Sequence, residues 1–257
     1  MRRTLAALAA CAGCAHALRT APPIETIAKE PEGPGAQLLA DADAAWQDRV
    51  SPEEAKRAED LYLQAARAIP ADARGYAGAI RAKAFRIGRE KDGGARERLA
   101  QDAVAVGQLC QQKVPGSPVC DYWLAAALGL QARERSSTAH DALPHMVDLL
   151  KGAAGKDESI DHAGPHRLLA IVLLRAPGWP LGPGDPDAAL PQAQASAKLA
   201  PEYPPNQLAL GEALHKNGKE EEAKAAYSEA LRLATSDPFR QDPDAKGWAD
   251  DARAALR

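Results

Sequence analysis

A two-helix unit that returns along the chain constrains the fold more than any other feature. It is plainest in "NQLALGEALHKNGKEEEAKAAYSEALRLATSDP", which starts at Asn206. Leu210, Gly211 and Leu214 share one face of a first helix, and Ala223, Tyr227 and Ala230 share one face of a second, because residues three and four apart stack on a 3.6-residue helix. The chain reverses at "KNGK", where Gly218 permits the turn. The second-helix pattern comes back at Ala58, Tyr62 and Ala65, at Ala103, Gly107 and Cys110, and at Ala189, Ala193 and Ser196, with a weaker copy from Ala142. Aromatic residues make up only 4% of the chain and β-branched residues are sparse, which favours helix over strand.

This pattern closely resembles the tetratricopeptide repeat (TPR), a helical hairpin of about 34 residues with small, apolar and aromatic residues at these offsets. The resemblance implies an all-α, helical-hairpin solenoid. Four to five hairpins are expected across residues 36–257. The uneven distances between copies predict that connections inside the hairpins are lengthened. Helix starts are legible too: "SPEE" at Ser51 is an N-cap, a first-turn proline and a capping-box glutamate in order. "DPDA" occurs at both Asp185 and Asp242, and each aspartate is expected to cap a helix. The second of these opens "DPDAKGWADDARAALR", read as a closing helix over the last repeat.

The N-terminus has another character. "MRRTLAALAACAGCAH" runs from a basic start through a short apolar stretch to small residues and cysteine, the order of an export signal. It resembles the lipobox of bacterial lipoproteins, which implies lipidation of Cys14, with Cys11 as the alternative. Residues 1–13 are then a signal segment and 14–35, rich in proline and without period, a tether. Such a protein faces the periplasm from the cell envelope. In that oxidising compartment Cys110 and Cys120 are placed to bridge, closing a small loop worth roughly 2–3 kcal/mol in the chain-entropy model. The other reading keeps them as two thiols packed like small apolar residues.

Between the helical stretches "HRLLAIVLL" and "DAALPQAQASAKLAP" stands "RAPGWPLGPGDP", residues 175–186. Pro177 stops one helix and Asp185 caps the next, so "PGWPLGPG" is an insertion within the fourth hairpin, stiffened by proline. Repeat arrays often carry such insertions on the binding face. Trp179, Leu181 and Asp185 are therefore the expected contact residues. For Trp179 two readings stand: a rigid contact for a partner, or a plug folded back between hairpins. Residues 161–234, with Gly184, Asp185 and Ala189 followed by "LAPEYPPNQLALGEAL", are similar to the T-component lipoproteins associated with TRAP transporters. That resemblance implies a partner protein, a periplasmic substrate-binding protein; homo-oligomers are a further option.

Catalytic and cofactor patterns are weak by comparison. His162 and His166 are four apart, but Gly164 and Pro165 between them break the one-face geometry a zinc pair needs. The region from His140 to His166 nevertheless carries the alternative reading, a metal-binding or enzyme accessory protein. "GPGD" has no preceding strand and no following Lys-Ser or Lys-Thr, which argues against a phosphate loop. A net charge of −3 without a basic block argues against nucleic acid. The expectation is a non-catalytic binding protein that needs no cofactor.

Overall fold

A computed structural model of the protein describes residues 21–257. Both candidate lipidation sites, Cys11 and Cys14, lie outside the described residues. A short helix, α1 (Ile24–Ile27), precedes five hairpins. These pair α2 (Gly35–Gln47) with α3 (Pro52–Ala68), α4 (Ala73–Ile87) with α5 (Gly93–Lys113), and α6 (Pro118–Glu134) with α7 (Ala139–Lys156). They continue as α8 (Ile160–Arg175) with α9 (Pro186–Leu199), and α10 (Pro204–Lys216) with α11 (Glu220–Ala234). The last helix, α12 (Ala245–Ala255), packs on α11. The second helices are the five segments carrying the recurring Ala pattern.

Local chemistry sets the helix ends. Ser51 accepts from the Glu54 amide while the Glu54 carboxylate accepts from the Ser51 amide, the full capping box. Asp72, Asp92, Ser117 and Asp185 cap α4, α5, α6 and α9 through side-chain oxygens. Small residues let helices approach closely. At Gly211 in α10 an added Cβ would stand 2.6 Å from the Tyr227 ring of α11. The core is one continuous cluster from Ile24 to Ala213, with a smaller one around Leu214, Ala223 and Ala226. Alanine is its commonest residue and lets the helices approach closely, while leucine, isoleucine, valine and aromatic side chains fill the space between them along the whole array.

Three features differ from the sequence reading in detail. The lengthening inside hairpins falls mainly on one connection, residues 176–185; elsewhere the extra length is helix, as in the 21 residues of α5. Within the expected tether, Ile24 and Ala28 are buried, Arg67 donates to the Ala28 carbonyl, and the Glu32 amide donates to Gln64. That end of the segment is laid along α3. Asp242 does not cap α12. The helix begins at Ala245 with no side-chain cap, because the Asp242 carboxylate accepts from Arg49 at 3.1 Å and from the Asp244 amide at 2.8 Å.

That contact joins the two ends of the array. Arg49, only 5% exposed, pairs with Asp242 and Asp244, and Arg89 pairs with Asp244 and donates to the Pro243 carbonyl. The segment between α11 and α12 thus returns to the first two hairpins. Cys110 of α5 and Cys120 of α6 form a disulfide, with Cα atoms 5.4 Å apart. No helix among the described residues is long and apolar enough to cross a membrane.

Candidate functional site

The inserted loop is held from inside and bare outside. The Gly184 amide donates to the Pro177 carbonyl at 2.8 Å, which closes the loop on itself, and the Asp185 amide donates to the Leu173 carbonyl at 2.8 Å, which pins its far end to α8. The Asp185 side chain accepts from the Ala188 amide at 3.0 Å and starts α9. A Cβ on Gly184 would stand 2.1 Å from the Ala176 carbonyl oxygen, so the closure needs glycine. At the tip, Trp179 is 90% exposed and Leu181 72% exposed. Trp179 therefore does not plug a groove between hairpins. Pro180, Leu181, Gly182 and Pro183 face His140, Asp141 and Pro144 of α7 across an open cavity of about 520 Å³.

The start of α8 is a second unusual feature. Asp161, His162 and Ala163 have φ of 49°, 56° and 61°, three successive non-glycine residues in the left-handed region. Each costs on the order of 1–3 kcal/mol and persists only where neighbours over-determine it. The neighbours are a buried polar network. Arg167 donates through Nη1 to the Asp161 carbonyl at 3.0 Å, the His162 carbonyl at 3.1 Å and Asn206 Oδ1 at 2.9 Å. Its Nη2 donates to Asp161 Oδ2 at 2.6 Å and to the Tyr122 hydroxyl at 3.3 Å. Asn206 donates back to the carbonyls of His162, Ser196 and Ala200. Tyr122 donates to the Asp161 carboxylate. Burial, and then the Asp161 charge, push the Tyr122 phenol well above its usual range. Burial opposes the charge on Arg167, but Tyr122 and Asp161 outweigh it and raise the pKa above the ordinary arginine value.

The network sets His162 at the edge of a cavity of about 450 Å³ between the first two hairpins, the starts of α6 and α8, and the closing segment. The His162 ring stacks on Tyr203, centroids 4.3 Å apart and planes 15° apart. Tyr203 in turn meets Phe239 and Trp248 edge-on. Across the cavity stand Trp46, Phe85 and Trp123. Arg49 lies 3.8 Å and Arg81 4.5 Å from the centroid of the Trp46 ring.

No protein-family model matches the sequence, and no curated protein matches it with significance. Among solved structures, a thermophilic TPR protein of Thermus thermophilus superposes with a TM-score of 0.60 at 19% identity. The match covers 86% of this chain and 99% of that one. The protein folds as a TPR-like helical array. At this identity the likeness speaks for the fold.

Within the TPR-like array the expected contact residues Trp179, Leu181 and Asp185 are in one loop, with the first two at its exposed tip and Asp185 serving as a cap. The histidines His140, His162 and His166 are not gathered. His140 is beside the loop, and His166 Nδ1 is 2.8 Å from Gln192 Oε1. His162 is on Tyr203. Among the described residues no group of three His, Cys, Asp or Glu is close enough to hold a metal ion. The sequence patterns mark none of Trp46, Trp123, Trp248, Arg49, Arg81 and Tyr203 as site residues, yet all of them line the cavity at His162. Aromatic residues are few in the sequence, and only the fold brings both phenylalanines and three of the four tryptophans to this one cavity.

Proposed function

We propose that the protein is a non-catalytic, lipid-anchored envelope scaffold whose TPR-like array docks a second protein through the inserted loop 177–184. The carrying observation is the exposed tip. A large apolar side chain left in water forgoes roughly 1.5–3 kcal/mol of burial, and here Trp179 and Leu181 are both exposed on a loop braced by its own hydrogen bonds. Proline lowers the ordering cost of binding, and a rigid tryptophan is the kind of side chain that dominates interfaces. The finer reading, a T component pairing with a periplasmic substrate-binding protein, draws its support from the likeness of residues 161–234. The anchor draws its support from the lipobox-like stretch before Cys14.

Trp179→Ala tests the docking role. An exposed substitution is expected to move stability by no more than about 0.5 kcal/mol, while the partner recovered by crosslinking in intact cells falls steeply. A sharp loss of melting temperature with normal recovery by the remaining folded protein would make the loop structural and end this reading. Mass spectrometry of membrane-extracted protein checks the anchor: a diacylated or triacylated Cys14 or Cys11 is expected.

A further inference from the structure

The cavity behind His162 is separate from the inserted loop, and although three arginines and three aspartates line it, one of the arginines is left without an acid. Three aspartates line it, and each already has a cation. Asp242 and Asp244 pair with Arg49, Asp244 also with Arg89, and Asp161 with Arg167. Arg81 also lines the cavity and has no carboxylate within ion-pair distance among the described residues. Its Nη2 donates to the Tyr62 hydroxyl at 2.9 Å, and that hydroxyl donates to Asp43, so the nearest acid on this path is one hydroxyl away. The Nε atoms of Arg81 and Arg49 are buried and have no hydrogen-bond partner among the described protein groups. Buried donors of this kind call for an explanation.

The walls suit a flat body. Arg81 lies over Trp46 at 4.5 Å, which holds its guanidinium plane against an aromatic face. Trp123, Tyr203, Phe239 and Trp248 complete the apolar lining, and a volume of about 450 Å³ is in the range of small-molecule sites. The left-handed turn at Asp161–Ala163 is a local strain that the fold sustains while setting His162 flat on Tyr203 at the cavity edge. Strained backbone of this kind clusters where a group must be held ready.

We propose that this cavity binds a small organic anion with a flat apolar body. Arg81 is the anchor for the acid group, and Trp46, Trp123, Tyr203 and Trp248 enclose the rest. A guanidinium offers a planar fork of N–H donors that matches a carboxylate, and such charge-assisted bonds outweigh neutral ones. The site stands independently of docking by the loop.

Calorimetric titration of the purified full chain with phenylacetate, with its neutral amide phenylacetamide, and with acetate tests the proposal. Phenylacetate is expected to bind saturably and to quench the cavity tryptophans. The amide, which lacks the charge, and acetate, which lacks the ring, should each bind weaker by on the order of tenfold or more. Arg81→Gln should erase the preference for acid over amide, and Arg81→Lys should keep part of it. The acid-to-amide comparison on the unaltered chain decides the anion reading even if a variant folds poorly. Equal affinity for acid and amide, no saturation by phenylacetate, or a preference that survives in a folded Arg81→Gln protein would each overturn it.

Discussion

Arg167 meets five acceptors from three elements with two nitrogens, and most of them belong to the left-handed turn it braces. Replacing it with leucine strands the Asp161 carboxylate and removes the bonds that hold the turn. Breaking a buried charge pair costs about 3–5 kcal/mol, so Arg167→Leu should lower unfolding free energy by that order in urea. A loss under about 1 kcal/mol would mean that Asn206 and Tyr122 hold the turn without it. The tyrosines give a pH prediction. All five sit above the ordinary phenol value, chiefly through burial: Tyr62, Tyr76 and Tyr203 at about 12, with Tyr122 and Tyr227 also raised. An unfolded phenol ionises near 10. Above that pH the unfolded chain binds fewer protons than the folded one, so this contribution is intact below about 10 and is lost as pH rises toward 12. Melting temperature should therefore fall through this window, and tyrosinate absorbance should grow in step with unfolding. Most of the tyrosines titrating near 10 in folded protein would contradict it.

At the scale of elements, glycine has opposite meanings in neighbouring segments. Gly184 closes the inserted loop against the Ala176 and Pro177 carbonyls, with an added Cβ 2.1 Å and 2.8 Å from their oxygens. Gly152 lies within α7, and a Cβ there meets nothing within 4 Å. Gly184→Ala should thus force the loop open and cost roughly 1–3 kcal/mol. Gly152→Ala should stabilise α7 by about 0.5–1 kcal/mol through lower backbone entropy in the unfolded chain. Denaturant titration of the two variants checks the pair. A Gly184→Ala protein as stable as the unaltered chain would show that the loop is not closed as described, and a destabilised Gly152→Ala protein that α7 has no room for the added methyl group.

For the whole molecule, the contact between Arg49 and the closing segment turns an open row of hairpins into a closed one. A repeat array without such a contact frays from its ends, since each unit meets only its neighbours. Neutralising both Asp242 and Asp244 to asparagine leaves Arg49, 5% exposed, without its acids, at a cost on the order of 3 kcal/mol. Hydrogen exchange should quicken in α2 and α12 and stay unchanged in α6, next to the Cys110–Cys120 bridge. Unchanged exchange at both ends would show that the contact does not couple them.

Much of the fold was legible because it is written locally. Helix period, caps and turn glycines act over three or four residues, so the five second helices, the capping box at Ser51 and the limits of the loop 176–185 could be read from neighbours in the chain. Closeness in the sequence also made the pairing of Cys110 and Cys120 worth considering, since they flank one connection between adjacent antiparallel helices. The two "DPDA" stretches mark where this stops. Asp185 caps its helix, whereas an identical Asp242 gives its carboxylate to Arg49, 193 residues away. No local pattern carries that distance, because it depends on the small rotation of each hairpin on the last, summed over the array. The same summation gathers Trp46, Trp123, Tyr203 and Trp248 around one cavity, and tertiary hydrogen bonds from Arg167 and Asn206 hold a turn that local preference disfavours. The sequence by itself determined the helices and their order; only the tertiary structure decided which side chains meet across the array.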